Sequence, residues 1–279
     1  MAVIAAVAAH LGRDVQRALP KVEGILADAR AAGADLVVLP DAALGGYLSD
    51  LGDPDPEDLP QPLRLDGPEL DRVRRAAGDL IVCIGLAEAV PGRPDRRWNT
   101  AVCCSAQRVW GVHRKVHRPL DESRVYAAGD RFAAFDTPAG RMGMLTSYDK
   151  TFPEAARTLA LDGAVVLACL GAWPASTTDR AAHLPQDRQS RLFDLYDVAR
   201  AAENQVVLVS SNQTGVQGRL RFLGQAKVVG PGGDVLARTG VKGGLAVASV
   251  DVPHEVGRAR RRLHHLAERV PAAYGWGAR

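Results

Sequence analysis

The chain has 279 residues, 47% of them hydrophobic and 24% charged, with 35 basic against 32 acidic residues for a net charge of +3. That balance excludes a disordered chain, and the charge is too small to draw in nucleic acid by itself. No uninterrupted apolar run approaches the ~18–20 residues that a membrane span needs, and the length suits a single α/β sandwich.

Residues 2–8 read as a buried strand. They have the apolar character of a secretion-signal core but lack a basic leader and run straight into an amphipathic helix. That helix, 14–32, carries Val15, Leu19, Val22, Ile25, Leu26 and Ala29 at helical spacing, and Gly33 closes it. Residues 35–39 form a short strand halted by Pro40, and the proline-rich, acidic stretch 48–66 is a surface loop. A helix near 68–77 precedes strand 79–86, and strands 98–105 and 108–114 follow around a tight polar turn.

Strand 142–147 leads into helix 153–162, strand 164–170 precedes a loop over 171–186, and helix 187–203 leads into strand 205–211. Strands 222–229 and 234–238 flank a turn at Pro231, Gly232 and Gly233. Strand 245–251 precedes a basic tail with Arg258, Arg260, Arg261 and Arg262. Strand–helix alternation interleaved with hairpins predicts a mixed sheet covered by helices. One domain is expected over 1–255, with a tail over 256–279 that packs on, or exchanges with, a partner subunit.

Cys83, Cys103, Cys104 and Cys169 all lie in apolar segments without metal-ligand spacing, which predicts buried, reduced thiols in a cytoplasmic protein. Lysine is scarce: five (21, 115, 150, 227 and 242) stand among the 35 basic residues. A lysine kept between Arg114 and Arg118, at Lys115, therefore invites a chemical reason.

Three strands end on a polar residue: 35–39 at Asp41 after Pro40, 108–114 at Lys115, and 142–146 at Ser147. Strand ends are where side chains leave the core while resting on a rigid support. An acid, an amine and a hydroxyl so placed could serve as base, charge stabiliser and nucleophile. Each also has a plainer reading: Asp41 as a turn or cap residue, Ser147 as a small residue at a strand end, Glu122 as a solvated loop acid. His113 and His117 flank Lys115; with no third ligand at suitable spacing, hydrogen-bonded histidines are favoured over a metal site. Tyr47, Tyr148 and Trp173 either line a substrate pocket or anchor their loops. Cys169, inside a strand, reads as an inert core cysteine.

The segment from Gly33 to Tyr47 resembles the nitrilase-family block whose glutamate follows a proline. Trp98–Ala101 and Val112–His117 resemble the blocks leading to its lysine, and Gly143–Glu154 looks like its cysteine elbow. Ala199–Asn204, Ser211–Asn212, Phe222–Gly224, Pro231–Val235 and Leu266–Tyr274 are similar to later blocks, so the resemblance runs through nearly the whole chain in order. It implies an α-β-β-α sandwich that pairs as a homodimer and needs no metal or organic cofactor. It also implies carbon–nitrogen bond hydrolysis on a small, non-peptide amide-like substrate.

The family's Glu, Lys and Cys, with a second Glu after the lysine, correspond to Asp41, Lys115, Ser147 and Glu122. Asp41 would be the base, Lys115 the oxyanion stabiliser, Ser147 the nucleophile or water-positioning hydroxyl, and Glu122 a substrate-orienting acid. Replacing Glu by Asp shortens the base's reach by up to about 1.5 Å, and serine's shorter bond to Cβ opens the gap further. Either the backbone closes that gap and Ser147 is a slow nucleophile (naturally diverged, or exchanged for cysteine by design), or a water fills it. A binding or regulatory protein without turnover, and a condensation or cyclisation enzyme of specialised metabolism, are the alternatives.

Overall fold

The computed structural model describes residues 1–275. Alternation along the first strand sets the layering. In Ala2–Ala9, the side chains of Ile4, Ala6 and Ala8 point into the space between two sheets, and those of Ala5 and Val7 point outward. The outward set packs beneath helices α1 (Val15–Ala31) and α2 (Pro68–Ala77), which contribute Val15, Leu19, Val22, Leu26, Leu70 and Val73. The second sheet repeats the scheme. Met142, Met144, Val166, Ala168, Val207 and Val209 face the first sheet, while Leu145, Leu167 and Leu208 pack against α3 (Pro153–Leu161) and α4 (Arg188–Asn204). The result is the expected α-β-β-α sandwich.

Both sheets are mixed. In the first, Ala2–Ala9, Leu36–Val38 and Ile81–Ala89 are parallel neighbours, and Arg97–Cys104 and Val109–Arg114 continue antiparallel. Gly244–Val250 pairs antiparallel with Ala2–Ala9. In the second, Gly140–Thr146, Val166–Leu170 and Val207–Ser210 are parallel, with Phe135–Thr137, Lys227–Val229 and Val235–Arg238 antiparallel outside them. Parallel strands joined by helices put their C-terminal ends at one edge, where ligand crevices form in open α/β sheets.

Caps set the helix ends. Asp14 accepts the N–H groups of Gln16 and Arg17 at the start of α1, and Asp187 accepts that of Gln189 at the start of α4. Proline occupies the first turn of α2 and α3, where its missing N–H costs no helical bond.

Some sequence-derived boundaries shift. The strand expected over 205–211 is shorter: Gln205 caps α4 with a positive φ of 53°, Val207–Ser210 lies in the second sheet, and just beyond the expected range Asn212–Gln213 pairs in the first. The strand expected over 222–229 is only Lys227–Val229. Leu220–Arg221 instead forms a small hairpin with Val216–Gln217, and the positive φ of Gly224 and Gln225 breaks the extended run between them. Across the expected start of the tail at 256 runs α5 (Val252–Arg260), which buries Val252 and Val256 between the sheets and exposes Arg258. Gln205 ties the end of α5 and the residues after it by donating to the carbonyls of Ala259 (2.9 Å) and Leu263 (2.6 Å). The end of the tail, 276–279, lies outside the described residues. No helix among those described is long and apolar enough to cross a membrane.

Candidate active site

Asp41, Lys115, Ser147 and Ala172 each follow the C-terminal end of a strand: Leu36–Val38, Val109–Arg114, Gly140–Thr146 and Val166–Leu170 respectively. Two of these strands belong to each sheet, so the sandwich itself brings the four together. Ser147 opens a 3-10 turn, Ser147–Thr151, with φ at +27°, a conformation that costs a non-glycine residue on the order of 1–3 kcal/mol. The turn aims its hydroxyl out of the strand line and toward Asp41.

The hydroxyl donates to Asp41 Oδ2 at 3.2 Å and accepts the Ala172 N–H at 2.8 Å. Asn99 Nδ2 donates to the same Asp41 oxygen at 3.1 Å. The gap expected from the shorter acid and the shorter nucleophile therefore does not open. Backbone position closes it: the Asp41 N–H donates to the Gly171 carbonyl (3.1 Å), and the Asp41 carbonyl accepts Gln213 Nε2 (2.9 Å). Gly85 makes room, since a Cβ there would stand 2.5 Å from the Ala42 nitrogen and 2.7 Å from the Asp41 Cα.

Asp41 is fully buried, and its Oδ1 has no hydrogen-bond partner among the described residues. Burial pushes its pKa up to about 6, although the charge of Lys115 and the Asn99 hydrogen bond pull the other way.

Lys115 Nζ reaches both oxygens of Glu122, at 2.9 and 2.8 Å, and the Tyr47 hydroxyl donates to Glu122 Oε1 at 2.9 Å. Glu122 is fully buried in the 3-10 turn Leu120–Arg124, so the solvated-acid reading is overturned. Both of its oxygens accept from the Lys115 amine, and Oε1 also accepts from the Tyr47 hydroxyl. Burial first, and then the Glu122 charge, pushes the Tyr47 phenol well above its ordinary pKa, so it remains a donor.

Beneath the nucleophile turn, Asp149 Oδ2 accepts Thr146 Oγ1 and His113 Nε2, both at 2.9 Å. Asp149 Oδ1 accepts the backbone N–H and the Nδ1 of His117, both at 2.9 Å. Burial raises the Asp149 pKa, but the hydrogen bonds from His113 and His117 outweigh it and hold the carboxyl well below the usual range. Both histidines are thus committed to the turn, and His117 also stacks on Phe152 at 3.7 Å between ring centres.

A cavity of about 610 Å³ opens over Ser147 and Lys115. Tyr47, Tyr148 and Trp173 all line it, and Trp173 is fixed by donating Nε1 to Gln189 Oε1 (2.9 Å). Cys169 is buried in its strand with its thiol pushed up to about 12 by burial, as an inert core cysteine requires.

Sequence reasoning missed Asn99, the Ala172 N–H and the part played by Asp149. Asn99 and Asp149 both fell within segments that carried the family resemblance. Lysine scarcity points beyond Lys115: Lys150 and Lys227 are also buried and share Asp197 at 2.7 Å each.

The chain belongs to the carbon–nitrogen hydrolase family, whose model matches residues 3–261. A probable nitrilase of Schizosaccharomyces pombe is 32% identical over 165 residues, which span 59% of this chain and 56% of that protein. The deaminated glutathione amidase of Escherichia coli O157:H7 is 29% identical over 210 residues, 74% of each protein. Among solved structures, a carbon–nitrogen hydrolase from Helicobacter pylori G27 superimposes with a TM-score of 0.82 at 21% identity, covering 98% of this chain and 97% of that one.

Proposed function

We propose that this protein hydrolyses the carbon–nitrogen bond of a small amide through an Asp41–Lys115–Ser147 site. The observation that carries the reading is the 3.2 Å contact between Ser147 Oγ and Asp41 Oδ2 at the floor of the cavity. Asp41 takes the hydroxyl proton as Oγ attacks the amide carbon. The Ala172 N–H, 2.8 Å from Oγ, steadies the charge that the oxygen gains. The carbonyl electrons move to oxygen, where Lys115 and the Tyr148 N–H receive the anion. Collapse of the adduct expels the amine, which leaves with the proton held by Asp41, and an oxygen ester remains on Ser147. Water then attacks that ester with Asp41 again as base, releasing the acid and restoring the hydroxyl.

In this reading Glu122 and Tyr47 position Lys115, and Asp149 with its two histidines holds the strained turn. Relatives named as a probable nitrilase and an amidase support an amide-like substrate. The homodimer remains part of the proposal: Leu161 on α3 and Leu195 on α4 are exposed on the helical face, and sedimentation would check their pairing.

Ammonia release from a panel of small aliphatic amides, with intact-mass detection of the Ser147 ester, tests the reaction. Ser147→Ala is expected to abolish both signals. Turnover that survives this change sinks the nucleophile assignment. Turnover that survives Asp41→Asn as well leaves the site without a role in the chemistry.

A further inference from the structure

The turn that carries Ser147 holds a positive φ that a non-glycine residue keeps only when its surroundings enforce it, so both ends of the turn must be fixed from outside. At the start, the Asp149 carboxylate does this by accepting Thr146 Oγ1. At the other end the backbone carbonyls need donors. Thr151 Oγ1 donates to the carbonyl of Tyr148 (2.9 Å), and the Phe152 N–H donates to that of Asp149 (3.1 Å). The carbonyl of Lys150 is less well placed, because the residue three positions on is Pro153, which has no N–H to offer.

Arg200 supplies what the turn lacks. It lies on the buried face of α4 with Phe193, Asp197, Ala201 and Asn204. Its Nε donates to the Lys150 carbonyl at 2.8 Å and its Nη2 to the Thr151 carbonyl at 3.0 Å, while Nη1 donates to Glu203 Oε1 at 2.8 Å. All three nitrogens of the guanidinium are thus engaged, and its planar fork spans two successive carbonyls of the nucleophile turn in a fixed geometry that a lysine ammonium does not provide. Arg200 does not line the cavity. Any effect it has on Ser147 therefore passes through the turn or through its charge.

We infer that Arg200 is a positioning residue for the nucleophile: it clamps the far end of the Ser147–Thr151 turn and thereby keeps the Ser147 hydroxyl on Asp41. The consequence for rate rests on the hydrolase reading above, whereas the effect on the contact does not. The same turn carries the Tyr148 N–H, so a slip misplaces the nucleophile and an anion donor together. The ionisation of Asp41 reports the contact. The Ser147 hydroxyl donates to the carboxylate and favours its charged form, so losing that bond raises the titration midpoint. Lys115, Glu122 and the phenols of Tyr47 and Tyr126 are the titratable groups around Asp41, and Arg200 bonds to none of them.

Carboxyl-carbon NMR on protein isotopically labelled in aspartate tests the inference, with the Asp41 signal assigned by its loss in Asp41→Asn. The midpoint is followed in the parent, Arg200→Gln, Ser147→Ala and the double variant. Arg200→Gln is expected to raise the midpoint in the parent and to leave it in place in Ser147→Ala, where no hydroxyl remains to be misplaced. An unchanged midpoint in the parent overturns the inference. So does an equal rise in both backgrounds, which a lost charge acting through space would give. Should Arg200→Gln fail to fold, Arg200→Lys keeps the charge and most of the packed stem and carries the same comparison; a smaller rise is expected, and no rise overturns the inference. In turnover, Arg200→Gln should lower kcat roughly 10–100-fold with KM nearly unchanged, the signature of a misplaced reacting group. An unaltered kcat in that variant sinks this inference alone. The expected pattern of midpoints, without ammonia release from any amide by the parent, sinks the hydrolase reading alone.

Discussion

Ser147 Oγ and Asp41 Oδ2 stand 3.2 Å apart, and among the described residues no other side chain bonds to that hydroxyl. A single carboxylate is thus the base within reach, where a serine hydroxyl ordinarily relies on a histidine. Two features of the site answer that weakness. Burial lifts the Asp41 pKa to about 6, which makes it a stronger base than an exposed aspartate, and the Ala172 N–H supports the oxygen as it loses its proton.

The pH dependence follows with opposite signs for rate and stability. Asp41 accepts a proton only when ionised, so kcat/KM should rise with pH through about 6 and then level off. The folded pKa lies above the ordinary value of 3.8, so between these values the native state binds a proton that the unfolded chain has lost. Stability therefore falls as pH climbs through that window and stays reduced above it, by about 3 kcal/mol. Asp41→Asn should lower turnover by roughly 10²–10⁴-fold while raising the melting temperature at pH 8. A variant that melts below the parent at pH 8 would contradict the burial penalty.

Lys115 and Glu122 form a buried pair whose two members are not equally dispensable to chemistry. Glu122→Leu leaves the ammonium uncompensated and should cost about 3–5 kcal/mol in a urea melt. Glu122→Gln keeps a hydrogen-bond acceptor and should be milder in stability while still slowing kcat, because the amine loses its fixed position. Equal stability losses for the two substitutions would mean that the charge, which both remove, is what compensates Lys115, and that the hydrogen-bond acceptor that only Gln keeps adds nothing.

Gly85 ties the fold to the chemistry. In Gly85→Ala the new Cβ would fall 2.7 Å from the Asp41 Cα, and backbone rather than a flexible side chain must yield. A shift of about 1 Å in the base is enough for a loss of roughly a hundredfold in rate. Turnover should therefore fall far more than secondary structure or melting temperature. An active, unperturbed Gly85→Ala protein would show that the Asp41 backbone has slack.

Layering and strand ends were legible in the sequence because they rest on local alternation: Ile4, Ala6 and Ala8 on one face and Ala5 and Val7 on the other, or Pro40 stopping a strand just before Asp41. What escaped depends on contacts distant in sequence. Glu122 sits in a polar Leu-Asp-Glu-Ser run that reads as loop, and only Lys115 and Tyr47, 7 and 75 residues away, draw it into the interior. Side-chain length alone predicts a short reach for Asp41, whereas the distance is set by backbone contacts to Gly171 and Gln213. The crossing at Ser211, from Val207–Ser210 in the second sheet to Asn212–Gln213 in the first, has no signature in hydrophobic period, since both pieces are buried.

Asp197 offers a test that is independent of the cavity chemistry. It is fully buried and takes Lys150 Nζ on one oxygen and Lys227 Nζ on the other, both at 2.7 Å, with the Phe193 ring 3.2 Å from the first amine and 4.1 Å from the second. Burial drives the Lys150 pKa down, and the Asp197 charge opposes that shift. Asp197→Asn removes the opposition and sets two ammonium groups against each other, which should destabilise the fold by about 3–5 kcal/mol at neutral pH. The sign of the pH response then identifies the cause. A buried lysine with a depressed pKa holds fewer protons in the native state than in the unfolded chain, so the variant should regain stability as pH rises from 7 toward 10. Replacing all three residues together, Lys150→Met, Asp197→Leu and Lys227→Met, should recover most of the loss, because no charge is then left without a partner. If the single variant stays equally unstable across that pH range, its defect is one of packing, and the buried charges are not what Asp197 restrains.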